Sequence, residues 1–258
     1  MQNTDEKQRE ITRLCSKVAL LLLQYGAESM LVVETTQRLG IALGANSVEI
    51  ALTPNAIVLT TLVNGNFLTT TRKNQDRGIN MQMVTAVQHI VITAEHQVYD
   101  IRYVRQKLEQ LHPFQYNRYL VMLMVGLSCA SFAHLSGGDR LICLITFFAS
   151  SIAMFIRQTL TKRAFNSIIV FPTTAFVASI IAGISLKYQL GNHPQIALAS
   201  SVLLLVPGFP LINALADILK GHINMGIARW VIASVLTFGA CIGIAFALIL
   251  LHLENWGA

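Results

Sequence analysis

Five long apolar stretches fill the second part of the chain and constrain its fold more than any other feature. A bilayer core about 30 Å thick needs roughly 20 apolar residues at about 1.5 Å rise per residue. Four stretches meet this length, while Leu141–Ile156 is short and needs flanking residues that reach the interface, or a locally thinner bilayer. The stretches predict an α-helical integral membrane protein with about five transmembrane helices, at about 119–136, 140–157, 164–187, 196–217 and 229–253.

The charged residues are concentrated before these stretches. Residues 1–118 carry 12 Lys+Arg and 10 Asp+Glu, whereas residues 119–258 carry 7 Lys+Arg and 3 Asp+Glu. We therefore expect two domains, 1–115 and 116–258, with the first domain rich in charge like a soluble protein. The net charge of +6 does not indicate nucleic-acid binding, because no dense basic run is interleaved with aromatic residues.

The distribution of Lys and Arg between the stretches predicts the orientation in the membrane. These residues are denser before the first stretch, between the second and third, and between the fourth and fifth. Because basic residues favour cytoplasmic loops, we expect the N-terminal domain in the cytoplasm and the C-terminus outside. The first residues are polar and acidic, which predicts no secretory signal peptide.

The first domain is predicted to be α+β. Apolar residues recur at helical spacing over 8–25 and again over 28–43, with Gly26 between the two predicted helices. Three runs rich in β-branched residues follow, and Asn64-Gly65 between two of them predicts a tight hairpin in a β-meander. A long helix then carries one continuous apolar face from Met83 through Val98 to Leu111, and Pro113 ends it.

The sequence contains no pattern typical of an enzyme or a metal site. We find no GxSxG, Walker, HExxH or dinucleotide-binding glycine motif, so we expect no catalytic residues and no cofactor. The four cysteines form no CxxC pair, and they are interpreted as small apolar residues. His89 and His96 lie seven residues apart without a nearby cysteine or acidic cluster, so we expect no metal.

The fourth stretch contains the sharpest local feature, in which Pro207, Gly208, Phe209 and Pro210 follow one another. Two prolines that flank a glycine remove backbone donors and predict a break in the helix. A half-helix that begins near Pro210 presents free N–H groups and a positive dipole end, and such ends bind substrate carboxylates in transporters. The alternative interpretation is a kink that serves packing alone.

Polar residues continue beyond this break. Asn213, Asp217 and Lys220 follow at steps of four and three, so they share one helix face, and His222 and Arg229 come next. An ionisable residue in or near a span is a candidate functional residue. Asp217 is equally consistent with an interfacial charge that pairs with Lys220 or Arg229.

The first domain holds a second group of candidates. Thr70, Thr71 and Arg72 lie at a strand end, and with Arg77 they are suited to hold an anion, although a solvated charged turn explains them as well. Glu28 and Ser29 are suited to the first turn of a helix.

Segments spread over essentially the whole chain resemble the threonine/serine exporter family. The matching segments are Gln24–Ser29, Asn55–Ile57, Thr70–Arg72, Arg77–Asn80, Val206–Asn213, Asp217 and Gly221-His222. The resemblance is greatest to the larger subunit of the split form, which implies a cytoplasmic domain followed by five spans in a bacterial inner membrane. It adds Asn55 and Asn80 to the candidates of the first domain.

The resemblance also implies a partner and a substrate. The partner is a small second membrane subunit of YjjB type, and the substrate is succinate. Separately from the resemblance, a homo-oligomer is kept as a candidate assembly. Fused relatives carry both membrane halves in one chain and export threonine and serine, but this chain lacks the second half.

These observations lead to one leading hypothesis and three alternatives. The leading hypothesis is a subunit of a secondary exporter for small carboxylates, succinate first, with its site at residues 207–213 and Asp217 as a proton relay or a gate lock. Because succinate carries two carboxylates, a second positive partner is expected from Arg157, Lys220 or Arg229. The alternatives are a threonine/serine exporter, a membrane-anchored sensor or hydrolase-like enzyme, and a scaffold subunit.

Overall fold

The computed structural model describes residues 2–96 and 100–253, with side chains described from residue 5 onward. It is mostly helical and includes one three-stranded sheet in this part of the chain. The helices are α1 (Gln2–Gln24), α2 (Ser29–Ala42), α3 (Met81–Glu95), α4 (Ile101–Glu109), α5 (Arg118–Leu135), α6 (Arg140–Lys162), α7 (Ser167–Lys187), α8 (Pro194–Ser201), α9 (Gly208–Leu219) and α10 (Ile223–Leu250), with a 3₁₀ turn at Leu203–Leu205. The strands are β1 (Ser47–Leu52), β2 (Ala56–Val63) and β3 (Asn66–Lys73).

The chain forms two compact units. Unit one consists of Met1–Phe114 and Phe209–Trp230, and unit two consists of Gln115–Gly208 and Val231–Ala258. The first unit therefore includes a segment far along the chain, which contains α9 and the start of α10. The two domains 1–115 and 116–258, which the charge distribution predicts, stay a prediction.

The sheet of unit one is an antiparallel meander with the order β1-β2-β3. Asn64 and Gly65 join β2 to β3 with φ angles of 49° and 82°, so the predicted hairpin is confirmed. Helix α1 packs along β2 and β3, and it also contacts α2, α3 and α4. Its buried apolar side chains include Ile11, Leu14, Val18 and Leu22, in agreement with the predicted amphipathic helix.

The prediction of a single long helix after the sheet is wrong. Helix α3 ends at Glu95, and a separate helix α4 begins at Ile101. The Asp100 carboxylate accepts the backbone N–H of Ile101 at 2.7 Å, which stabilises a new helix start that apolar spacing alone does not indicate. Val98 lies outside the described residues.

The apolar stretches lie in unit two and in Phe209–Trp230, the second segment of unit one. Within residues 2–96 and 100–253, four helices, α5, α6, α7 and α10, are long and apolar enough to cross a membrane, and a fifth span results if Pro194–Leu205 and Gly208–Leu219 form one broken span. The second stretch is not short, since α6 has 23 residues and extends through Arg157 to Lys162. Charged residues near its end lengthen the helix beyond the uncharged run from which the span was predicted.

Unit one contains a tight contact that gives a test of its packing. A Cβ atom on Gly40 of α2 would lie 2.2 Å from Cγ2 of Val48 and 3.2 Å from Sγ of Cys15. Both neighbours are buried, and burial raises the pKa of the Cys15 thiol to about 12. Because the side chain of Val48 is branched at Cβ and cannot swing away freely, it blocks any larger residue at position 40.

We expect Gly40→Ala to destabilise the protein by about 1–3 kcal/mol, because the added methyl overpacks the core. Helix propensity alone predicts the opposite sign, since Ala is favoured over Gly by about 1 kcal/mol in a helix interior. The measurement is the thermal unfolding midpoint of the purified protein. In the Val48→Ala background the same substitution should become neutral or stabilising, and a Gly40→Ala protein as stable as the wild type would contradict the packing.

Candidate functional site

The turn between α1 and α2 presents backbone groups, and side chains of Phe209–Trp230, the second segment of unit one, bind them. Gly26 has φ +89°, a conformation that favours glycine, and it ends α1 while the Ala27 N–H donates to the Leu22 carbonyl at 3.0 Å. The carbonyls of Gly26 and Ala27 accept side-chain donors from α9 and α10, respectively. The turn is thus a docking point for these helices.

Asp217 of α9 lies at the N-terminus of α2 and is fully buried. Its Oδ1 accepts the Ser29 backbone N–H at 2.8 Å, and its Oδ2 accepts the Ser29 hydroxyl at 3.0 Å. Glu28, at the N-cap position itself, makes no capping hydrogen bond with its side chain. Asp217 therefore supplies the negative charge and the acceptor that a helix N-terminus favours, from a distant point in the sequence.

Arg229 of α10 completes the environment of Asp217. Its Nη1 lies 3.0 Å from Asp217 Oδ2, and its Nη2 donates to the Ala27 carbonyl at 2.7 Å. The Arg229 side chain is only 15% exposed, so this ion pair is largely removed from solvent. A buried pair of this kind is costly to break, because either partner alone is a charge without compensation.

Two further contacts surround this ion pair. The Asn213 side-chain amide donates to the Gly26 carbonyl at 2.8 Å, and the Lys220 ammonium pairs with the Glu28 carboxylate. We call the six residues Glu28, Ser29, Asn213, Asp217, Lys220 and Arg229 the polar cluster. Its two acidic and two basic side chains balance in charge, so the cluster has no net charge to offer a substrate.

Helices α9 and α10 form a close hairpin that brings the polar cluster together. Gly221 has φ +86°, and the His222 N–H donates to the Asp217 carbonyl at 2.8 Å, which ends α9. A Cβ on Gly226 would lie 2.7 Å from the Ala214 carbonyl oxygen, so the two helices approach closely. His222 thus makes this contact through its backbone, and a role of its side chain in substrate binding stays a prediction.

The break predicted in the fourth stretch is confirmed. After α8 the chain forms the 3₁₀ turn Leu203–Leu205, and α9 begins at Gly208, two residues before Pro210. Pro210 falls in the first turn of α9, where its missing N–H leaves no intrahelical bond unmade. Whether Pro207, Gly208, Phe209 and Pro210 bind a substrate stays a prediction.

Arg157 of α6 lies in a different setting, in unit two. Its Nη1 donates to the Leu204 carbonyl at 3.1 Å, and its guanidinium lies 4.9 Å from the centre of the Phe171 ring. Among the residues that the structure describes, no carboxylate pairs with it. Arg157 contributes to a cavity of about 820 Å³, which is otherwise lined by Tyr116, Leu120, Val121, Met124, Val125, Ser128, Cys129, Phe132, Met154, Leu203 and Leu204.

The remaining candidates of the first domain do not form one group. The Arg77 N–H donates to the Gln24 carbonyl at 3.1 Å, and the Asn55 carbonyl accepts the Asn74 N–H at 2.7 Å. Asn80 caps α3 by accepting the Met83 N–H at 3.2 Å. These contacts are ones that hold the fold, and they leave a functional role of the three residues untested.

Thr70 and Arg72 of β3 line a second, smaller cavity of about 240 Å³ in unit one. Thr71 points to the opposite face of the strand, because side chains alternate along it. The cavity is also lined by Arg9 and Arg13 of α1, which sequence reasoning did not select as site residues. Their spacing of four residues on an amphipathic helix was the available signal, but it did not indicate which strand the helix would face.

Comparison with known proteins agrees with the resemblance drawn from the sequence. The family described as "Putative threonine/serine exporter" (ThrE) matches residues 13–251. Two relatives are named "Probable succinate transporter subunit YjjP": one from Klebsiella aerogenes, 55% identical over 99% of this chain and 100% of its own length, and one from Escherichia coli K12, 56% identical over 97% and 98%. A third, an uncharacterised protein of Haemophilus influenzae, is 62% identical over 55% of this chain and 48% of its own length.

No solved structure matches this chain. The family match covers most of the sequence, and it includes both the turn after α1 and the broken segment before α9. Together with the apolar helices, it identifies a multi-pass membrane protein of a transporter family. The chain belongs to the threonine/serine exporter family.

Proposed function

We propose that this chain is one subunit of a transporter that exports succinate from the cytoplasm. The observation that carries the proposal is the similarity over nearly the full length to two relatives named as succinate transporter subunits. The word "subunit" in those names supports a partner, which we propose is a small second membrane subunit of YjjB type. We further propose a bacterial inner-membrane location with residues 1–115 in the cytoplasm, in accordance with the Lys and Arg distribution.

Arg157 is the residue that we propose binds a substrate carboxylate. Of the three basic candidates for this role, Lys220 and Arg229 already pair with Glu28 and Asp217. The Arg157 guanidinium has five N–H donors, and one nitrogen bonds to the Leu204 carbonyl. The remaining donors suit a carboxylate, and the apolar cavity wall strengthens such a contact because it lowers the local dielectric constant.

The polar cluster is proposed as a lock that holds the segment after the break in one position. Moving α9 away from the turn at Gly26 requires breaking the Asp217–Ser29 hydrogen bonds and the Asp217–Arg229 ion pair. A lock suits Asp217 better than a proton relay, because both of its oxygens already have donors or a cation beside them. Discrete rearrangement of such contacts is a common element of alternating conformations.

The test of this function is succinate efflux from cells that lack their own succinate exporters. The chain is expressed alone, with the small second subunit, and as an empty vector, and intracellular and external labelled succinate are followed over time. We expect rapid efflux only when both subunits are present. Equal succinate retention in all three strains, with both proteins detected in the membrane, would overturn the proposal.

Export of threonine and serine is the second candidate function, because it is the activity that the family description prints. The same strains, loaded with labelled threonine or serine, distinguish the two candidates. Efflux of the amino acids without efflux of succinate would replace the first proposal by the second. Efflux of neither, together with a ligand-dependent activity of the N-terminal residues, would favour the sensor or hydrolase-like alternative.

A further inference from the structure

Three arginine side chains line the cavity of about 240 Å³ in unit one. Arg9 and Arg13 lie four residues apart on α1, which places them on one helix face. Arg72 lies on β3 on the same side of the strand as Leu68 and Thr70, because these residues are two apart. Together with Thr12 and Thr69, these residues line the cavity of about 240 Å³.

The structure gives these three guanidinium groups no acidic partner among the residues that it describes. Two other arginines of the same unit are paired: Arg38 with Glu95, and Arg105 with both Glu10 and Glu109. Two like charges four residues apart on a helix repel each other, and a third across the cavity adds to the repulsion. All three arginines are exposed to solvent, which screens part of this repulsion, and an anion bound between them would lower it further.

The cavity stands on a rigid support. At its base the Thr12 hydroxyl lies 2.7 Å from the Thr61 hydroxyl, and both residues are buried. One turn before, the Gln8 amide donates to the Thr61 carbonyl at 3.2 Å and to the Asn66 carbonyl at 2.8 Å. These bonds hold α1 against β2 and β3, so the arginines are attached to elements whose spacing is set before any ligand binds.

We propose that this cavity binds a small multivalent oxyanion, such as a dicarboxylate or a phosphate group, through Arg9, Arg13 and Arg72 with the Thr70 hydroxyl as an additional donor. Planar guanidinium groups bind carboxylate and phosphate oxygens through two parallel hydrogen bonds, which gives both strength and orientation. The site lies in unit one and uses none of the residues proposed for transport. It gives the chain a second ligand, and it stands or falls independently of the transported substrate.

The experiment measures anion binding to the purified full-length chain in detergent, by calorimetry and by the shift of the thermal unfolding midpoint. The probes are inorganic phosphate, succinate, and mixed micelles that contain an anionic phospholipid, each against chloride at equal ionic strength. We expect saturable binding of a soluble probe with a Kd on the order of 1 mM or tighter. Binding to the anionic phospholipid in mixed micelles without binding to phosphate or succinate would assign the site to a lipid headgroup and would overturn the small-molecule proposal.

The variants decide whether the cavity is the site. Arg72→Gln should weaken binding by about tenfold or more, because a charge-assisted contact is lost. Lys73→Gln is the matched control, since Lys73 neighbours Arg72 on β3, is exposed, and does not line the cavity. Equal affinity in the two variants, or no saturable binding to the wild type, would overturn the proposal.

A second variant, Arg13→Gln, tests the site by its thermal unfolding midpoint if Arg72→Gln does not fold. Without a ligand, Arg13→Gln should unfold at the same temperature as the wild type or higher, because it relieves the repulsion with Arg9. With a saturating anion the order should reverse, since the wild type gains more from the ligand. A midpoint for Arg13→Gln that falls below the wild type without any anion would contradict the unpaired charge on which the site depends.

Discussion

Replacing Arg157 by Gln should lower succinate export by at least about tenfold while the protein remains in the membrane at its normal level. A charge-assisted hydrogen bond to a carboxylate contributes about 1.5–3 kcal/mol, and each 1.4 kcal/mol corresponds to about a factor of ten. Gln keeps a donor for the Leu204 carbonyl, which Arg157 contacts at 3.1 Å, so the substitution removes the charge with the least change in packing.

The matched control for this prediction is Lys162→Gln at the end of the same helix. Lys162 is exposed and does not line the large cavity, although its substitution removes the same unit of charge. Export should be nearly unchanged in this variant. Arg157→Lys should retain part of the activity, because it keeps the charge but loses the planar, bidentate geometry.

Export by Arg157→Gln at the wild-type rate, with equal amounts of protein in the membrane, would contradict the role of Arg157. The measurement is the initial efflux rate of labelled succinate in cells that express both proposed subunits. A low internal succinate concentration is the most sensitive condition, because a weakened binding contact affects the rate most when the site is not saturated.

Replacing Asp217 by Ala should destabilise the protein by about 3–5 kcal/mol and abolish export. The substitution leaves Arg229 as a largely buried charge without its partner, which is the costly way to break such a pair. It also removes the acceptor of the Ser29 N–H and hydroxyl at the start of α2. The thermal unfolding midpoint and the efflux rate are the two measurements.

The neighbouring ion pair is a matched comparison for Asp217. Lys220 and Glu28 connect the same two segments, but their side chains are 45% and 27% exposed, and exposed pairs contribute about 0–1 kcal/mol. Glu28→Gln should therefore change the midpoint little. If both substitutions had equally small effects, the polar cluster would not hold α9 in the way that its geometry indicates.

A double-mutant cycle separates the ion pair from the capping contact. Arg229→Met removes the unpaired charge, so the Asp217→Ala/Arg229→Met protein should be more stable than Asp217→Ala alone. The double variant should still be less stable than the wild type, because the Ser29 N–H remains without its acceptor. A double variant that is less stable than either single one would contradict this division of the energy.

Local sequence signals predicted several elements correctly. The hairpin at Asn64-Gly65 follows from two residues that accept positive φ, and the break before α9 follows from two prolines around a glycine. The apolar stretches predicted the helices of the membrane part, because their length and composition alone satisfy the requirement of the bilayer. The separation of α3 from α4 was missed, since the apolar spacing continues across Asp100, whereas the capping contact of Asp100 marks the start of a new helix.

The sequence predicted the residues of the candidate site but did not predict which of them contact each other. Glu28 and Ser29 were assigned to one group and Asp217 to another, yet the carboxylate of Asp217 and the hydroxyl of Ser29 lie 3.0 Å apart across 188 positions of sequence. In the same way, Arg9 and Arg13 fall within the helix predicted over 8–25, but its apolar spacing does not indicate that they line a cavity with Arg72.

By itself, the sequence determined most of the helical segments, where one of the apolar stretches breaks, and that the chain belongs to a membrane transporter family. These properties depend on contacts between near neighbours, on steric limits of proline and glycine, and on the apolar length that a bilayer requires. Only the tertiary structure decided which charges are neutralised and which remain available. That outcome depends on distances of a few ångströms between residues far apart in the chain, which no local pattern of residue types encodes.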